Sequence, residues 1–162
     1  MFHSPTLGTL PLDRVVEEIG AYVREDPDAK YTLIIGSDSH ASFIEQQHRQ
    51  VNFVTAIIVH RRGRGGRYFW RNGVSQVGHT LRSKIHQETV LSLELAQEVV
   101  PKLRENLGED VEYELEIHLD VGTSGATRDL VKEVVGMVQG SGFRAKTKPA
   151  GYGAFIVADK YT

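Results

Sequence analysis

The sequence has no cysteine and no long run of apolar residues. Its 162 residues also include only two Met and one Trp. The absence of cysteine excludes disulfides, thiolate ligands for zinc or iron–sulfur clusters, and thiol nucleophiles. The apolar runs are shorter than the roughly 18 to 20 residues that a helix needs to span a bilayer. We therefore expect a chemistry based on oxygen and nitrogen side chains, and no contact with a membrane.

An excess of charge of one sign is also lacking. The 19 Lys and Arg residues nearly balance the 21 Asp and Glu residues, which gives a formal net charge of −2. This balance argues against a general electrostatic attraction to nucleic acid, so that any such binding has to come from local basic patches. The N-terminus lacks a basic segment followed by an apolar one, and we therefore expect no signal peptide and a cytoplasmic location.

The composition that remains, with 40% apolar and 25% charged residues, is ordinary for a globular protein. At about 150 residues per domain, residues 1–162 are predicted to form a single domain. The spacing of the apolar residues predicts a series of helices and strands along the chain. In order, these are a helix at about 12–24, strands at 31–38, 50–60 and 67–72, a long helix from Leu81 to Gly108 that Pro101 bends or divides, a strand at 111–119, a helix at 127–139, a strand at 143–148 and a short helix at 153–161.

This order of elements predicts an α/β fold. The first three strands form an antiparallel meander, and each of the last two strands follows a crossover helix. The result is a mixed five-stranded sheet with helices on its faces, which is the topology of the ribonuclease H-like fold. In that topology the first and fourth strands are adjacent and parallel.

Four acidic residues occupy positions that such a fold brings together. Asp38 ends the first strand and Asp120 ends the fourth, so the two are expected side by side. Glu88 lies on the inward-facing stripe of the long helix, and Asp159 lies in the last helical segment. Neighbouring carboxylates repel one another unless a cation neutralises them, and oxygen-only ligands favour Mg²⁺ or Mn²⁺. A pair of such ions can promote hydrolysis of a phosphodiester.

Ordinary structural roles compete with this interpretation. An acid at a strand end often caps a helix, and an acid on a helix is usually solvated, but the joint placement of the four favours a metal site. Glu94, on the same helix as Glu88, is expected to face solvent. His118 precedes Asp120 by two residues and has three possible roles: metal ligand, proton carrier or hydrogen-bonded structural residue. Of these we favour a supporting or proton-transfer role over that of a ligand.

Three short segments carry a more specific signal. Residues 35–39 read IGSDS, residues 117–122 read IHLDVG, and the pair KP at 148–149 precedes VADK at 157–160. Together with the helix that contains Glu88, they resemble the bacterial YkuK family, which is ribonuclease H-like with a predicted nuclease activity. The resemblance implies that the metal-binding acids of ribonuclease H correspond to Asp38, Glu88, Asp120 and Asp159.

A glycine-rich turn between the second and third strands is strongly basic. The arginines in and around this turn are Arg61, Arg62, Arg64 and Arg67, and Tyr68, Phe69 and Trp70 follow them. Arginine binds phosphate through paired hydrogen bonds, and aromatic rings stack on bases. The turn is therefore a candidate for nucleic-acid binding, while a solvated hairpin tip is an equally good interpretation. Lys148 and Lys160 are candidates for a second basic cluster near the acids.

The leading functional prediction is a divalent-metal-dependent nuclease. Asp38 and Asp120 are predicted to bridge the metal ions, with Glu88 and Asp159 completing their coordination. Nucleic acid is the expected partner, and DNA, RNA, hybrid and junction substrates all suit the fold. The alternative is a non-catalytic module that binds nucleic acid or protein on the same fold. Convergence of all four acids favours the nuclease, and loss of the fourth favours the binding module.

Overall fold

The computed structural model describes residues 1–44, 48–73, 76–77, 80–108, 111–151 and 160–161. Within these ranges, α-helices pack on one mixed β-sheet of eight strands. The helices are α1 (Leu12–Arg24), α2 (Leu81–Leu107) and α3 (Val131–Gly140). The strands are β1 (Phe2–Ser4), β2 (Gly8–Leu10), β3 (Tyr31–Ile44), β4 (His48–Arg61), β5 (Gly66–Asn72), β6 (Gln76–Val77), β7 (Tyr113–Leu119) and β8 (Arg144–Thr147).

Strand β3 lies near the centre of the sheet. It pairs antiparallel with β4 on one side and parallel with β7 on the other. The strand order is β2-β1-β5-β4-β3-β7-β8, and β6 pairs with β4 outside this path. The antiparallel β3–β4–β5 meander, followed by the parallel strands β7 and β8 after α2 and α3, confirms the predicted mixed α/β arrangement.

The predicted number of five strands is wrong, because the sheet has eight within the described ranges. The five predicted strands correspond to β3, β4, β5, β7 and β8. The other three are only two or three residues long and therefore show no alternation of apolar and polar residues. Strand β1 is held by the buried Phe2 and pairs with β5 through His3 and Trp70.

Helix α2 is continuous through Pro101, so that of the two predicted alternatives, a bend or a division, the division is wrong. Its N-cap is Thr80, whose Oγ1 accepts a hydrogen bond from the Ser83 N–H at 3.2 Å. Pro101 lies inside the helix and lacks the N–H that would donate to the preceding turn. Val99 and Leu103 on either side of it are buried, so packing holds the helix together across the missing hydrogen bond.

The core lies between the sheet and the helices. One apolar cluster joins α1, α2, α3 and the sheet, and it includes the fully buried Ile35 of β3, Leu95 of α2 and Val134 of α3. Burial of each such side chain contributes roughly 1.5 to 3 kcal/mol. This packing fixes α2 across β3, and with it the polar side chains that α2 presents to the middle of that strand.

The C-terminal part of the prediction is only partly covered by the structure. Of the predicted final helix at 153–161, only residues 160–161 are described, and both are helical. Tyr161 stacks on Trp70 of β5 with ring centroids 3.7 Å apart. In the part of the chain that is described, no helix has the length and apolar character that crossing a membrane requires.

Candidate functional site

The sheet topology brings Asp38 and Asp120 to the same edge. Strands β3 and β7 are parallel neighbours, and the last residues paired in their register are Gly36 and His118. Asp38 and Asp120 each lie two residues beyond this pair. Asp120 directly follows β7, whereas Asp38 lies within β3, which pairs with β4 as far as Ile44, so the prediction that Asp38 ends its strand is wrong. Both side chains are partly buried. The predicted adjacency of the two strands is therefore confirmed.

Glu88 reaches this edge from helix α2. It is only 5% exposed, and its Oε1 accepts a hydrogen bond from the Ser39 hydroxyl at 2.5 Å. Burial raises the pKa of Glu88 to about 8, the Ser39 hydrogen bond opposes this rise, and the negative charges of Asp38 and Asp120 add to it. The carboxyl group of Glu88 therefore lies in the electrostatic field of both aspartates, which places three of the four predicted acids in one region.

The register of helix α2 agrees with the prediction. Glu88 faces the sheet, whereas Glu94 is exposed. Leu93 and Leu95 on either side of Glu94 are buried, so that of these three consecutive residues only Glu94 faces solvent. Glu94 thus provides an acid of the same helix that does not belong to the site.

Hydroxyl groups surround the backbone and side chain of Glu88. The Ser92 hydroxyl donates to the Glu88 carbonyl at 2.9 Å and lies 2.9 Å from the Ser37 hydroxyl, which in turn lies 2.8 Å from that of Thr55. Sequence analysis did not assign a role to these groups. The available signal was the alternation of Ser37 and Ser39 on a strand that is otherwise apolar, because buried hydroxyls require polar partners.

A lysine pairs with Asp120. The Lys148 Nζ forms an ion pair with the Asp120 Oδ1, and the two side chains are 47% and 27% exposed. The Lys148 backbone N–H donates to the Val121 carbonyl at 2.9 Å, which holds the segment after β8 against the loop after β7. Sequence analysis placed Lys148 near the acids as a possible contact for nucleic acid, and did not foresee the ion pair.

His118 lies beside the acids and is buried. Its Nε2 is 3.1 Å from the Glu116 Oε2, and the ring lines a small cavity together with Glu88 and Asp120. Burial lowers the pKa of His118 below its ordinary value, while Glu116 opposes that shift. The ring is therefore neutral near pH 7 and can accept a proton.

The acids of the site offer oxygen atoms to a divalent cation. In the ranges that the structure covers, no three His, Asp or Glu side chains are assembled closely enough to hold a metal ion. The fourth predicted acid, Asp159, lies outside the described residues. The three acids nevertheless offer only oxygen, and the pKa of Glu88, raised mainly by burial, is raised further by the negative charges of Asp38 and Asp120, which an added cation would offset. The chemistry of the donors therefore fits Mg²⁺ or Mn²⁺.

The basic hairpin lies at the start of β3, away from Asp38. Arg61 pairs in register with Tyr31, seven residues before Asp38, which is about 23 Å along a strand at roughly 3.3 Å per residue. The Arg61 guanidinium is buried and donates to the Tyr31 Oη at 2.9 Å and the Tyr22 carbonyl at 2.8 Å. It is therefore occupied by partners within the protein.

The other basic candidates are more accessible. Arg67 forms ion pairs with Glu18 at 3.4 Å and Glu25 at 3.1 Å. Arg62 and Lys160 are exposed, and Arg64 is 73% exposed at 3.7 Å from Asp26. The contacts thus favour a structural role for Arg61 and Arg67, and nucleic-acid binding by the remaining basic residues stays a prediction.

The sequence of the chain is similar to those of known proteins. A family model described as Ribonuclease H-like matches residues 14–162. A Bacillus subtilis (strain 168) protein named "Uncharacterized protein YkuK" is 34% identical over 172 aligned positions, which cover 100% of this chain and 96% of the relative. No solved structure matches the chain significantly.

Proposed function

Because the chain belongs to the ribonuclease H-like family and, within it, to the YkuK proteins, we propose that it is a divalent-metal-dependent nuclease that hydrolyses phosphodiester bonds. The observation that carries the proposal is the position of Glu88. This carboxyl group is 5% exposed and lies in the field of Asp38 and Asp120. Three acids in such a place are costly in a merely structural role, whereas a cation would neutralise all of them.

The proposal gives each acid a binding role. Asp38, Glu88 and Asp120 hold Mg²⁺ or Mn²⁺, with Asp159 as a further ligand. A bound divalent cation supplies positive charge to a phosphate oxygen and lowers the pKa of water. Ser39 fixes the Glu88 Oε1 through its 2.5 Å hydrogen bond, which holds the carboxyl group against β3 next to Asp38.

His118 is proposed as the residue that moves a proton. Burial keeps its ring neutral near pH 7, so one ring nitrogen can accept a proton. Glu116, 3.1 Å from the Nε2 atom, can stabilise the imidazolium ion that results. The ring lines the same narrow gap as Glu88 and Asp120, two of the acids that are proposed to hold the metal.

Nucleic acid is the proposed substrate, since the ribonuclease H-like fold commonly binds it. Arg62, Arg64 and Lys160 are exposed and are proposed to contact its phosphates. Two of them lie on the hairpin at the far end of β3, so we assign them to positioning of the strand and not to the cleaved bond.

A non-catalytic binding module is the second candidate function. Two observations favour it: Lys148 already neutralises part of the acidic charge through Asp120, and the covered part of the chain contains no assembled group of metal ligands. A module of this kind binds nucleic acid or protein with or without Mn²⁺ and leaves the nucleic acid intact.

A cleavage assay distinguishes the two functions. The wild-type protein is incubated with end-labelled DNA, RNA and hybrid oligonucleotides, with Mn²⁺ or with a chelator. We expect Mn²⁺-dependent cleavage of at least one substrate, loss of cleavage to background in Asp38→Asn, and wild-type rates in Glu94→Gln. The Asp38→Asn protein should be as stable as the wild type or more so without metal, because one repelling charge is gone.

Cleavage that persists in Asp38→Asn would disprove the assignment. A large loss of stability in that variant without metal would instead identify Asp38 as a structural residue. Binding without cleavage of all three substrates in the presence of Mn²⁺ would favour the module.

A further inference from the structure

The ion pair between Lys148 and Asp120 occupies the atom that the proposed function requires for the metal. The Lys148 Nζ contacts the Asp120 Oδ1, which belongs to the strand-end acid beside Asp38. A carboxylate oxygen that is paired with an ammonium group must leave that partner, or share it, in order to bind a divalent cation.

The backbone of Lys148 is fixed at this position. Its N–H donates to the Val121 carbonyl at 2.9 Å, one residue after Asp120. Gly122 follows, and a Cβ atom there would meet the Lys148 Cβ at 3.5 Å, so the two segments are in close contact. The side chain itself is 47% exposed, which leaves room for the ammonium group to move into solvent while the backbone stays in place.

A second lysine on the same segment, Lys146, forms an ion pair with an acid that is not a proposed metal ligand. Lys146 belongs to β8, is 39% exposed, and lies 3.8 Å from the Glu116 Oε1. It has nearly the same exposure as Lys148 and is two residues away in the chain. Its partner, however, is not among the proposed metal ligands, so that Lys146 is a matched control for the removal of one positive charge.

We propose that Lys148 is a resident counter-ion that competes with the divalent cation for Asp120 and thereby lowers the metal affinity of the site. The inference rests on the proposed function, because it takes Asp120 as a metal ligand. In the metal-free protein the ammonium group offsets the negative charge of Asp120 beside the other acids of the site. When the cation binds, the ammonium group is displaced toward solvent, where it is available to a phosphate of the substrate.

Calorimetric titration with Mn²⁺ alone tests the competition. The proteins are the wild type, Lys148→Met, Lys148→Gln, Lys148→Arg and Lys146→Met, each dialysed free of metal. We expect Lys148→Met and Lys148→Gln to bind Mn²⁺ about fivefold more tightly than the wild type, which is the order of one partly exposed ion pair. Lys148→Arg should remain close to the wild type because it keeps the charge.

The control variant separates the pair from general charge. Lys146→Met should change the Mn²⁺ affinity by less than about twofold, since its lysine does not contact a proposed ligand. Equal gains in affinity for Lys146→Met and Lys148→Met would overturn the proposal. Unchanged or weaker binding in both Lys148→Met and Lys148→Gln would overturn it as well.

Thermal melting in a chelating buffer provides the second readout. We expect Lys148→Met to lower the melting temperature of the metal-free protein, and Asp120→Asn in the same chain to restore it, because the uncompensated charge is removed. If the wild type and all variants fail to bind Mn²⁺, the proposed function fails together with this inference. If the wild type binds Mn²⁺ and loss of the Lys148 charge has no effect, only the inference fails.

Discussion

At the scale of single residues, the environment of Glu88 dominates the chemistry of this protein. Its carboxyl group is almost completely buried, accepts a hydrogen bond from Ser39, and has a pKa raised to about 8 mainly by burial. In the unfolded chain the same group titrates at its ordinary value near 4.5. Between these two values the folded protein holds a proton that the unfolded chain releases, so that folding becomes less favourable as the pH rises.

The first prediction at this scale concerns the pH dependence of stability. Without metal, the free energy of unfolding of the wild type should fall as the pH rises from about 4.5 to 8, by an amount on the order of 1 kcal/mol per pH unit. The Glu88→Gln variant lacks the titrating group and should not show this part of the fall. Urea unfolding at pH 5, 6, 7 and 8 measures this difference. Glu94→Gln, which alters an exposed acid of the same helix, should parallel the wild type.

An equal pH dependence of the wild type and Glu88→Gln would contradict this prediction. Stability curves that run parallel for the wild type and Glu88→Gln across the whole range would mean that Glu88 is ionised in the metal-free fold. Another group would then have to compensate the negative charge of Glu88, Asp38 and Asp120.

At the scale of elements, the β4–β5 hairpin is attached to helix α1 through contacts of Arg61. The Arg61 guanidinium lies 4.3 Å from the centre of the Tyr22 ring and donates to the Tyr22 carbonyl, near the end of α1. It also forms an ion pair with Glu25 at 3.2 Å. A basic turn that the sequence assigns equally well to nucleic acid and to solvent thus has one arginine that joins two elements of the core.

The prediction for this element separates structural from exposed arginines. Arg61→Met should lower the free energy of unfolding by about 3 kcal/mol, because several hydrogen bonds to a buried charged group are lost and the Tyr22 carbonyl loses a partner. Arg64→Met should change it by less than about 0.5 kcal/mol, since that side chain is 73% exposed. Urea denaturation at pH 7 measures the free energies of unfolding of both variants. Equal effects of the two substitutions would contradict a structural role for Arg61 between the hairpin and α1.

At the scale of the whole molecule, long periodic segments were predictable from the sequence. The strand that contains Ile35, the helix that contains Leu95 and the placement of Asp38 next to Asp120 all follow from the apolar pattern and from the topology it implies. Strands β1, β2 and β6 were missed, because two or three residues have no measurable period. Their pairing depends on contacts with distant strands, such as that of His3 with Trp70.

The parts of the site that were not predictable depend on contacts between segments far apart in the chain. The sequence identifies Glu88 as an acid on an apolar stripe, but its bond to Ser39 depends on how α2 crosses β3. The pairing of Lys148 with Asp120 requires the loop after β7 to lie against the segment after β8. The burial of Arg61 likewise requires α1 to pack on the hairpin. No local pattern contains this information.

The molecule as a whole has the candidate acidic site beside the middle of β3 and the basic hairpin at the start of that strand. The most direct measurement of the central claim is a crystal structure of the protein soaked in Mn²⁺, with anomalous difference maps that locate the ion. We predict an anomalous peak within coordination distance of oxygens of Asp38, Glu88 and Asp120. The Lys148 ammonium group should have moved away from Asp120. A map without a peak at these acids, with Lys148 still paired to Asp120, would contradict it.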